Sequence, residues 1–153
     1  MFDMDKVLKA AKELGGDIAG VATKYVPTAL SRDKQLANAY GCTMALMICA
    51  DVEVEEQETI DGMDYIRNDE NLRGLGMTVE GINFYSGFVN GLKDHFDDKP
   101  QFVVETAKLI EEHIASLKEP AHKLIIRDLV NSLCGTRAND AESNMRDNIL
   151  RAV

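Results

Sequence analysis

Apolar residues recur three and four positions apart along almost the whole chain, and no stretch alternates with a period of two for any length. The pattern predicts an all-α protein: about seven helices in one compact domain over residues 1–153. Met4, Val7, Leu8, Ala11 and Leu14 form the stripe of a first helix, ended or bent by Gly15-Gly16. Residues 17–25 leave room for one further short turn of helix before Pro27.

Ser31 is a good N-cap for a second helix, with Leu36, Tyr40, Met44, Met47 and Ile48 on one side and the small residues Ala37, Gly41 and Ala45 permitting close packing. A third helix sends Ile60, Met63 and Ile66 inward and stops where Asn71, Gly74 and Gly76 mark a turn. Thr78 is the expected cap of a fourth, whose face Ile82, Tyr85, Phe88, Val89, Leu92 and Phe96 is the most aromatic in the protein. After Asp97-Asp98-Lys99-Pro100, a fifth helix presents Phe102, Val103, Ala107, Ile110, Ile114 and Leu117 to the core. Pro120 suits the first turn of a sixth, with Leu124, Ile125, Leu129 and Leu133 inward, and Asn139 with Glu142 opens the last as a capping box.

Two of these junctions echo each other. MICADVEVEEQETI and SLCGTRANDAESNMRDNI each read as an apolar helix ending in cysteine, a short polar loop, and an acid-led helix reaching isoleucine. A duplicated helix-loop-helix unit would leave such a pair, with an acidic loop in each half.

Charge narrows the partners. The 26 Asp and Glu against 17 Lys and Arg leave a net charge of -9, which repels nucleic-acid phosphates and anionic lipid and favours cations. No run approaches the ~18 apolar residues of a membrane span. The start MFDMDK has no secretory signal, and the odd, unclustered Cys42, Cys49 and Cys134 suit buried thiols in a reducing cytoplasm.

The acidic loops are the candidate chemistry. Hard cations such as calcium or magnesium take several carboxylate oxygens, and Asp51, Glu53, Glu55, Glu56 and Glu58 supply enough. An EF-hand starting at Asp51 is excluded, because its sixth and twelfth positions, Gly and Glu in that motif, are Glu56 and Gly62 here. Five acids cannot all face one ion from a regular helix, so the ligands would be Asp51 with one or two glutamates. The competing reading is that these acids open a helix, where the macrodipole favours each carboxylate by about 0.3–1 kcal/mol. Enzymatic constellations are poor: His95, His113 and His122 are dispersed, and there is no HExxH, GxSxG or phosphate-binding glycine loop.

ICADVEVEEQETI and, around it, the N-terminal FDMDKV, the segment YIRNDENL and the helix INFYSGFVNGLKDHF resemble, in type and in order along the chain, the TerB family of tellurite-resistance proteins. The family pattern has Asp-Gly, a hydrophobic residue and then paired Glu leading a helix; here Asp51 is followed directly by Val52, and the pair is Glu55-Glu56. The resemblance implies a non-enzymatic cytoplasmic protein that binds divalent metal through Asp51, Glu55, Glu56, Asp140 and Glu142, calcium or magnesium before zinc. It also implies a stress-response assembly, peripheral to the inner membrane through a membrane-embedded TerC-like partner, with self-association left open. Arg137 stands about where the second loop should carry an acid, which favours the first loop as the stronger site. The alternative function is a purely structural protein–protein interaction module, cellular or phage, in which the acids only solubilise.

Overall fold

A computed structural model describes residues 31–135 and 139–153. The expected first helix, the short turn at 17–25 and Arg137 lie outside the described residues. Within them the chain is all helical, with no strand: α1 (Arg32–Ile48), α2 (Glu56–Arg67), α3 (Glu70–Gly74), α4 (Thr78–Lys93), α5 (Lys99–Leu109), a π-helical turn π1 (Ile110–Ile114), α6 (Pro120–Leu133) and α7 (Asp140–Ala152). No helix among the described residues is long and apolar enough to cross a membrane.

α1 is the hub. Ser31 caps it by accepting the Lys34 amide, and from Leu36 to Met47 every residue is buried, so the helix has no solvent face. It packs against α2, α4, π1, α6 and α7. Such a helix must be apolar all round or satisfy its polar groups inside. Thr43 does so by donating to the Ala39 carbonyl at 2.7 Å, and the Tyr40 hydroxyl donates to Asp69 at 2.9 Å. Asn38 Nδ2 donates to His113 Nδ1 at 3.0 Å across to π1, while Asn38 Oδ1 is buried with no hydrogen-bond partner among the described residues.

The tightest crossing is α1 on α4. A Cβ at Gly41 would lie 2.7 Å from the Tyr85 amide nitrogen and 2.9 Å from the Gly81 carbonyl oxygen, so the two backbones meet where neither can yield. Tyr85 then reaches past α1 to donate its hydroxyl to the Thr59 carbonyl at 2.9 Å, and a Cβ on Gly62 would strike that ring and Ile48. Glycines at these positions thus tie α1, α2 and α4 into one packing unit.

Several elements depart from the periodicity. The turn expected at 68–76 contains α3, five residues capped by Asp69, which accepts from the Leu72 amide at 2.9 Å. Thr78 is the first residue of α4 rather than its cap; Met77 holds that place without a side-chain bond. α5 starts as expected behind its Asp98 cap, but Val103 is 63% exposed and Ala107 is also exposed. The Ala115 amide bonds the Ile110 carbonyl at 2.9 Å, a five-residue step that widens the turn, and Ile110, His113 and Ile114 are buried, the first and last as the spacing predicts. In α6 the buried residues are Ile126, Leu129 and Val130, and Leu124 is 52% exposed.

Gly41→Ala should lower stability by about 1–3 kcal/mol in urea denaturation, because backbone cannot move aside. Gly87→Ala and Gly91→Ala, whose added Cβ meets nothing within 4 Å in α4, should raise it by about 0.5–1 kcal/mol. Burial holds His113 down at about 4. The unfolded chain takes up that proton near pH 6.5 and the folded chain does not, so this contribution is present above about pH 6.5 and is lost as pH falls towards 4. His113→Leu should flatten the acid limb of a stability–pH curve by about 3 kcal/mol across that window.

Candidate functional site

The end of α1 sets up the first acidic loop. Cys49 closes the helix, its amide bonding Ala45 and Met47 carbonyls, and the Val52 amide bonds back to the Cys49 carbonyl at 2.9 Å. That turn requires Val52 to take φ 60°, the left-handed region that costs a residue with a Cβ roughly 1–2 kcal/mol and a β-branched one no less. It is the position at which the TerB pattern has glycine. Val52 stays half-buried and packs on the core, which holds the turn in place and leaves Asp51 exposed beside it.

The second loop arrives at the same point. Asn139, the N-cap of α7, accepts the Glu142 amide at 2.8 Å through Oδ1. Its Nδ2 donates to both Asp51 carboxylate oxygens, at 2.9 and 3.1 Å. One asparagine thus caps its own helix and clasps an aspartate 88 residues earlier. The α2 side contributes Glu58, whose carboxylate accepts the Glu55 amide at 3.1 Å.

Glu142 is the group that registers this convergence. Its pKa is raised, first by partial burial and then by the Asp51 and Glu58 carboxylates. Negative charge from both loops and from the first turn of α2 therefore collects at one place.

The five sequence-derived residues separate accordingly. Asp51 and Glu142 come together. Glu55 is the N-cap of α2, Glu56 its exposed first residue and Asp140 the exposed first residue of α7. None of these three is among the carboxylates acting on Glu142. In the sequence Glu58 is one of the loop oxygens without being singled out as a ligand, and Asn139 is a helix cap that shares the second loop with Asp140 and Glu142. The two echoing segments held the signal: Glu55 and Asn139 are both N-caps, and Glu58 and Glu142 both stand three residues on. Among the described residues no three His, Cys, Asp or Glu side chains are grouped to hold a metal as they stand. Asp51 is turned to the Asn139 amide instead.

Other titratable groups are engaged elsewhere. A surface hollow of about 600 Å³ on α2 and α3 is rimmed by Asp61, Asp64 and Asp69. Gln57 donates to Asp61, Arg67 pairs with Asp64 at 2.6 Å, and Tyr40 and the Leu72 amide donate to Asp69. Cys42, Cys49 and Cys134 are buried and not in disulfides, and burial pushes the Cys42 and Cys49 thiols up. No protein-family model matches the chain, and no curated protein or solved structure matches it at a significant level.

Because its folded pKa is raised, Glu142 contributes stability that is present at low pH and is lost as pH rises through the folded value, above the ordinary carboxylate range of about 4.3. Glu142→Gln removes that dependence. The variant's stability relative to the native chain should therefore increase from about pH 4 to pH 7 in parallel urea denaturations.

Proposed function

We propose that this chain is a non-enzymatic helical module that takes a divalent cation, calcium or magnesium rather than zinc, where its two acidic loops meet, and that the ion adjusts a protein-docking face. The observation carrying this reading is the meeting of the two loops, where Asn139 at the start of α7 donates to both Asp51 oxygens and Asp51 and Glu58 are among the charges that raise the Glu142 pKa. Carboxylates that raise one another's pKa are relieved by a proton or by a cation. The donor set is all carboxylate oxygen, which suits hard ions and not a thiolate- or imidazole-seeking one. Asp51, Glu142 and Glu58 would hold the ion, which takes over the role of the Asn139 amide on Asp51; what the ion supplies is neutralisation of that charge.

The likeness of ICADVEVEEQETI to the TerB pattern supports placing the module in a tellurite-resistance or related stress-response assembly, cytoplasmic and reaching the membrane through a TerC-like partner. The left-handed Val52, at the family's glycine position, adds to that support.

A second reading is a purely structural interaction module whose acids serve solubility. The Asn139 clasp favours it, since both Asp51 oxygens already have a donor.

Calorimetric titration of metal-stripped protein with calcium and with magnesium separates the two. The cation reading expects binding at millimolar concentration or tighter, weakened by Asp51→Asn and by Glu142→Gln. It also expects a stabilisation of about 2.7 kcal/mol at a hundredfold excess over Kd. Neither heat nor a change in Tm with either ion would leave only the structural module.

A further inference from the structure

Among the described residues Val52 alone has a positive φ without being glycine. A β-branched side chain opposes that conformation, so the turn stands only where its surroundings hold it. From within, the Val52 amide bonds the Cys49 carbonyl at 2.9 Å and the Val52 side chain packs half-buried on the core. From outside, its neighbour Asp51 is tied through both carboxylate oxygens to Asn139, at 2.9 and 3.1 Å.

We propose that Asn139 and Asp51 form a latch between the start of α7 and the end of α1, which holds the Ala50–Val52 turn in its left-handed conformation and on opening lets Val52 return to ordinary backbone. The latch needs no ion, so it stands apart from the cation reading above.

The amide is suited to this task in a way that other caps are not. Asn139 Oδ1 accepts the Glu142 amide at 2.8 Å while Nδ2 donates to Asp51, so one side chain serves both helices. Turned the other way, it would set oxygen against carboxylate and NH2 against N–H. Serine and aspartate cap helices about as well as asparagine. Neither does both things here, because an ionised aspartate has no donor and a serine hydroxyl has a single oxygen and a shorter reach. Capping α7 therefore does not by itself call for asparagine, whereas the contact with Asp51 does. A hydrogen bond to a carboxylate is of the same order as the backbone cost of a left-handed residue, so loss of this one contact is enough to shift the turn. Both side chains are exposed, and the latch can open without disturbing the core. Ala50, Asp51 and Val52 line a groove with Ala141, Asn144 and Met145 of α7, and the state of the latch sets the shape of that wall.

NMR of the full chain in chelator tests the latch independently of cation binding, whose failure would leave the outcome untouched. In the native chain the NOE from the residue-52 amide proton to its own Hα should be strong, since a positive φ brings the two together. Asn139→Ser and Asn139→Asp, which both keep a cap on α7, should each weaken it several-fold and lower Tm. The exchanged pair Asp51→Asn with Asn139→Asp should restore it, because the amide then donates from the α1 side to a carboxylate that still caps α7. With Val52→Gly in place the turn forms without strain, and Asn139→Ser should lower Tm clearly less than it does in the native chain. A weak NOE in the native chain, a NOE unchanged by either Asn139 variant, an exchanged pair no better than Asn139→Asp alone, or an equal loss of Tm with Val52→Gly would each overturn the proposal.

Discussion

A helix with no face to solvent is the constraint on which the other elements depend. Because Leu36 to Met47 are all buried, α1 can exist only if α2, α4, π1, α6 and α7 surround it together. Its sequence meets that requirement with small residues where backbones cross, above all Gly41 against Gly81 and Tyr85, and with internal partners for its polar groups. Among the described residues Asn38 Oδ1 has no hydrogen-bond partner, and an unmet buried acceptor costs about 1–3 kcal/mol. The π1 turn adjoins that defect: a widened turn that brings His113 against Asn38 and sets its ring edge-on to Phe88, 4.9 Å between centroids.

The same enclosure makes the two acidic loops meet. α1 passes through the middle of the molecule, and where it ends the chain must turn out between α2 and α7, whose N-termini are already there. Helix N-termini favour carboxylates, which accounts for Glu56 and Glu58 on α2 and for Asp140 and Glu142 on α7 taken singly. Brought together at one junction, those locally favourable charges oppose one another. The Asn139 amide offsets part of the opposition at Asp51; Glu142 retains the rest. An acidic junction arises from this conflict between local helix chemistry and global packing.

Local chemistry was legible in the sequence and long-range chemistry was not. Ser31, Asp98, Pro120 and Asn139 mark helix starts because capping involves residues three apart, and periodicity suffices for an all-helical fold. α3 was hidden because Asn71, Gly74 and Gly76 carry turn chemistry over a helix of only five residues. Val103 and Leu124 are apolar residues beside the buried stripes Phe102–Thr106 and Ile126–Leu129–Val130, and periodicity alone does not separate the edge of a stripe from its centre. At the junction, Asp51 and Glu142 were readable from their acidic loops. The bond from Asn139 joins positions 88 apart, and the part played by Glu58 depends on the first turn of α2 lying near that of α7; no local pattern encodes either.

The central claim is that Glu142 feels uncompensated negative charge from the other loop, and carbon-detected NMR titration of its carboxyl tests it most directly. The expected result is a pKa above the ordinary glutamate value that falls when Asp51→Asn is introduced and falls when calcium or magnesium is added. An ordinary pKa unmoved by the substitution and by either ion would contradict the account.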